Sequence, residues 1–68
     1  MAQTVASAFA NVPASTEKTG LTTAFDSVLT AIAAARADGA FSTTVEGQLK
    51  DQVIDVAEQV ASNMTEHE

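Results

Sequence analysis

Two apolar stripes of helical period, separated by one Asp-Gly pair, constrain this chain more than any other feature. Leu21, Phe25, Val28, Ile32 and Ala35 recur at 4-3-4-3 spacing. At about 100° per residue they fall on one narrow line of a helix, with Leu29 at its edge. Val45, Leu49, Val53, Val56, Val60 and Met64 repeat the pattern farther along. The valines are below-average helix formers, but their spacing outweighs that cost. Asp38-Gly39 supplies the stop between the stripes, with Gly39 suited to a left-handed cap position. The link from Gly39 to Thr43 is too short for a crossover, so the helices should lie antiparallel. The predicted fold is all-α: an antiparallel helical hairpin over 19–63, with helices at about 20–37 and 44–63 and a frayed acidic tail at 64–68.

Local signals refine the helix ends. Thr19 is a reasonable N-cap, weakened by Gly20 directly after it. Thr43 and Glu46 match the T-x-x-E capping box, and Phe41 can pack just before it. Glu46 and Lys50 form a favourable i,i+4 pair. Gly47, near the start of the second helix, disfavours it by about 1 kcal/mol relative to alanine.

Residues 1–18 read as an N-terminal arm or short helix with a polar connector. Val5, Phe9 and Val12 sit at helical spacing, with Ala2 and Ala8 beside them. Pro13 ends any helix and biases Val12 away from helical geometry. A helix this short is not stable alone. It is expected either to lie on the hairpin as a third helix or to order on a partner. Ala14 to Thr19 reads as the connector.

Size makes a partner attractive. A chain of 68 residues is one domain at most, and a core that small is marginal without staples. There is no cysteine, so disulfides, thiolate metal sites and cysteine nucleophiles are all excluded. Association with itself or with a larger protein is the expected supplement. Nine acidic residues against three basic ones give a formal charge of −6, which argues against direct binding of nucleic acid or an anionic membrane. No run approaches the roughly 18 apolar residues of a membrane span. The N-terminus lacks a basic start and a continuous apolar stretch, so a cytoplasmic or particle-associated location is expected rather than secretion.

No residue pattern points to catalysis, a cofactor or a metal. His67 stands between Glu66 and Glu68 at the chain end, where a histidine is ordinarily solvated. The serines and threonines have no histidine or lysine placed to activate them. Asp51, Asp55 and Glu58 fall within about 60° on one side of the second helix. Such a stripe could meet a basic surface, imitating nucleic-acid phosphates, although a solvated helix face looks the same. The back of the first helix (Thr22, Thr23, Asp26, Ser27, Thr30, Ala33, Ala34 and Ala37) carries few charges for a free surface. Ile54, Ala57 and Ala61 widen the apolar arc of the second helix. Val5, Phe9, Ala34, Phe41 and Ile54 are therefore the candidate interaction residues. The expected function is a structural or interaction role, as a small component of a larger assembly such as a virus particle or multi-subunit complex. The competing expectation is an acidic inhibitor of a nucleic-acid-binding protein, acting through Asp51, Asp55 and Glu58.

Overall fold

A computed structural model describes residues 4–66. It contains a short helix α1 (Val5–Ala8) and two long helices, α2 (Thr16–Ala37) and α3 (Thr43–Glu66), with no strand among the described residues. The helical architecture and the two-helix hairpin follow the stripes described above. The ends differ from expectation in informative ways.

Helix α2 begins at Thr16 rather than near Gly20, because Ser15 is its N-cap: the Ser15 hydroxyl accepts from the Lys18 amide at 3.0 Å. Thr19 and Gly20 are interior helical residues, and the connector shrinks to the residues around Pro13. A serine cap followed by Glu17 in the first turn satisfies an orphan amide and favours the positive end of the helix dipole.

At the other end, Gly39 adopts φ +87°, as its left-handed role requires. The Ala40 amide donates to the Ala35 carbonyl and the Gly39 amide to the Arg36 carbonyl, both at 3.0 Å. Those two bonds make the Schellman closure that ends a helix on glycine.

Helix α3 is capped by Ser42, not Thr43. The Ser42 hydroxyl accepts from the Val45 amide at 3.2 Å, and its carbonyl accepts from the Glu46 amide at 2.9 Å. Glu46 is thereby released from the expected capping box and turns across the hairpin instead. Its Oε1 accepts from Arg36 Nε at 3.0 Å, while Oε2 lies 3.0 Å from Lys50 Nζ. One carboxylate thus clamps the last turn of α2 to the first turns of α3. The helix continues through Glu66, so 64–66 are helical rather than frayed.

The hydrogen bond from Lys50, reinforced by the charges of Lys50 and Arg36, holds the Glu46 carboxyl below its ordinary value of 4.5, against an opposing effect of burial. A depressed carboxylate stabilises the fold above the unfolded value, and that contribution is lost as pH falls through the folded one. The melting temperature of wild type should therefore exceed that of Glu46→Gln at neutral pH, and the two should converge as pH falls through the depressed folded value. Thermal melts across pH check this.

The core sits where a third layer meets the hairpin. Val5, Phe9 and Val12 of the arm are buried together with Ile54, Ala57 and Ala61 of α3. Leu21, Phe25, Leu29, Val60 and Met64 pack around them as half-buried neighbours. The Phe9 and Phe25 rings are tilted by 37° with centroids 6.1 Å apart, within the range of favourable aromatic pairs. Helix α1 has only four residues, so its own hydrogen bonds hold little. Thr4 caps it, its hydroxyl accepting from the Ser7 amide at 3.0 Å. The chain then turns through Phe9 and Val12, and Lys18 Nζ donates to the Val12 carbonyl at 2.7 Å. That bond ties the end of the arm to the first turn of α2, in front of Pro13.

The molecule is elongated. Its Cα radius of gyration is 12.9 Å, against about 11 Å for a compact chain of this length, and its extents are 42 × 20 × 15 Å. Gly20 and Gly47 face open space within the two long helices. Each substituted by alanine should raise stability by about 1 kcal/mol, a rise in melting temperature of about 4–8 °C. A calorimetric scan of the double variant checks the pair.

Candidate interaction site

The arm covers only one side of the hairpin. On the other side, α2 and α3 frame an open groove of about 330 Å³ lined by Phe25, Val28, Ile32, Leu49, Gln52, Val53 and Val56. Six of these seven belong to the two sequence stripes. Val28 and Val56 stand at its edges, 46% and 49% exposed. No charged side chain lines it, and Gln52 is its only polar member.

Its origin is a rotation of the helix pair. If the stripes alone formed the seam, Val28 and Val56 would be buried between the helices. In the structure Ile54, Ala57 and Ala61, to one side of the α3 stripe, are the buried residues. Docking Phe9 and Val12 against them draws that side of α3 inward and leaves the far side of the stripe facing solvent. A small apolar chain has more apolar arc on α3 than one neighbour can cover; two layers, one of them the arm, still leave part of it open.

The candidate interaction residues distribute unevenly. Val5, Phe9 and Ile54 come together in the chain's own core. Phe41 is half-buried in the turn, and Ala34 is exposed on the back of α2. The arm does not lie on that back face: Thr23, Asp26, Ser27, Thr30, Ala34 and Ala37 are all exposed, with Thr22 and Ala33 half-buried. The face is less polar than its composition suggests, since the Thr22 and Thr30 hydroxyls donate to the Lys18 and Asp26 carbonyls at 2.8 and 3.0 Å. These bonds occupy the hydroxyl protons within the helix itself.

Asp51 and Asp55 are exposed and Glu58 is half-buried. Among the described residues none of the three forms an ion pair. At about 100° per residue their stripe is centred about 160° around α3 from Leu49, Val53 and Val56, with Gln52 between the two faces. Among the described residues there is no group of three or more His, Asp or Glu side chains that could hold a metal ion, and no helix long and apolar enough to cross a membrane. His67 lies outside the described residues.

The sequence reading did not identify the groove, because it assigned its residues to the hairpin seam. The available signal was the width of the α3 arc: Ile54, Ala57 and Ala61 make a second stripe, and Val5, Phe9 and Val12 are an apolar set of matching size. Comparison of the chain with known protein families, curated proteins and solved structures finds no match.

Proposed function

We propose that this protein is a non-enzymatic structural or interaction protein, a small component of a larger assembly such as a virus particle or multi-subunit complex. The observation that carries the reading is the uncharged groove between α2 and α3, left open on a chain of 68 residues whose core is mostly six side chains. Such a chain gains stability by covering apolar surface against another protein. The weakly polar back of α2 offers a second contact surface of the kind a multi-contact subunit needs.

The test is capture of the tagged full-length chain from its native source, together with light scattering of the purified chain. Recovery of a defined assembly in which the chain is stoichiometric supports the proposal. A monomer at micromolar concentration with no stoichiometric partner overturns it.

A second reading draws on Asp51, Asp55 and Glu58, which form no ion pair among the described residues: an acidic inhibitor that occupies the nucleic-acid-binding surface of a basic protein. It requires affinity that weakens steeply with salt. Replacing the three with Asn, Asn and Gln would abolish that binding, whereas an assembly role through the groove is insensitive to the change.

A further inference from the structure

We propose that the open groove is a self-pairing surface: two copies lay their α2–α3 faces together and complete an antiparallel four-helix bundle. The proposal rests on the assembly reading above and names the partner of that site as a second copy of this chain.

Period is the first reason. The stripe Leu21–Ala35 repeats every 3.5 residues on average and Leu49, Val53, Val56 and Val60 follow a 4-3-4 spacing, which is the seam spacing of helices packed near +20° in bundles. A two-helix pair with the arm on one side uses part of that seam. Val28 and Val56, half-exposed at the groove edges, are the seam positions left over, and a second hairpin supplies the missing neighbours.

Charge is the second reason. Two copies each carrying −6 repel unless their acids are kept apart. The groove has no charged lining residue, and Asp51, Asp55 and Glu58 are centred about 160° around α3 from its apolar residues Leu49, Val53 and Val56. Face-to-face pairing therefore places these carboxylates on the outside of the bundle, away from their counterparts. A basic partner would find nothing in the groove to pair with. Gln52 fits a two-fold arrangement as well, since an amide both donates and accepts and can satisfy the same side chain of a second copy.

Size is the third reason. A face bounded by the two longer extents, 42 and 20 Å, offers at most on the order of 800 Å² per partner, which reaches the area of a standard stable interface.

Sedimentation equilibrium of the full chain between about 1 and 200 µM, a range that spans micromolar dissociation constants, tests the pairing. Wild type should approach twice the chain mass. Val28→Glu with Val56→Glu should raise the dissociation constant at least tenfold, because each copy then buries charge against like charge. Helicity by circular dichroism should stay unchanged, since both sites are half-exposed. Ala34→Glu, on the back of α2, should dimerise like wild type. A monomer throughout the range overturns the pairing, as does a dimer that the double variant leaves intact or that Ala34→Glu dissociates. If the chain is monomeric but capture recovers a stoichiometric larger assembly, the pairing fails and the assembly reading survives. A monomer with no such assembly overturns both.

Discussion

Replacing Phe9 by alanine should remove most of the stability of the folded chain, on the order of 3–5 kcal/mol. At about 0.05–0.15 kcal/mol per residue, a chain of this length has only about 3–10 kcal/mol in total. Phe9 is fully buried and stacks at an angle against Phe25. It is also the residue through which a four-residue helix, too short to persist by itself, is held on the hairpin. Losing the ring leaves a cavity that Val5 and Val12 cannot fill without abandoning their own positions. Urea titration followed by circular dichroism should show the midpoint fall sharply. A shift no larger than that of a surface substitution would mean that the arm is not part of the core.

Ile54→Ala is the matching experiment from the other side of the contact. Ile54 is 7% exposed and belongs to the same cluster as Phe9, so truncation should lower stability by about 2–5 kcal/mol. Side chains in one cluster share a cavity, so the two losses should not add: the double variant should fall short of their sum by about 0.5–3 kcal/mol. Additive losses would place the two residues in separate contacts. Val56→Ala provides the contrast, since half of that side chain is already in water and its transfer contributes little.

The hairpin was legible because its signals are local and redundant. The stripes, the Asp-Gly stop and the five-residue link each indicate the same two antiparallel helices, and Gly39 takes the left-handed conformation the stop implies. The caps were less legible because several serines and threonines near each helix start can fill them. Ser42 stands beside Thr43, which also fits, whereas Ser15 lies four residues before the expected Thr19 and adds a full turn; the capping hydrogen bonds decide both starts. The expected Glu46–Lys50 pair forms, but choosing Thr43 as the cap gave Glu46 a capping role and hid its second partner, Arg36 across the turn.

The interaction surface was hidden for a different reason. Periodicity identifies an apolar face but not its occupant. Ile54 read as surplus surface awaiting a partner, and Val56 read as seam. The arm reverses their fates, because Phe9, Val12 and Val5 together cover the side of α3 that bears Ile54, Ala57 and Ala61. The arm was read as either a third helix laid on the hairpin or a segment that orders on a partner; it lies on the hairpin, as four helical residues followed by a turn. Nothing short of the three-dimensional arrangement could rank the two apolar sides of α3, since both consist of aliphatic residues at helical spacing.

The arm closes the Ile54 side of the hairpin and leaves the Val28–Val56 side open. Proton NMR cross-relaxation from the Phe9 ring, recorded on dilute full-length chain, distinguishes the two sides. That ring should show contacts to Phe25 and to the methyl groups of Ile54, Ala57 and Ala61. Contacts from the Phe9 ring to the methyl groups of Val28 and Val56 instead would put the arm in the groove and overturn this arrangement.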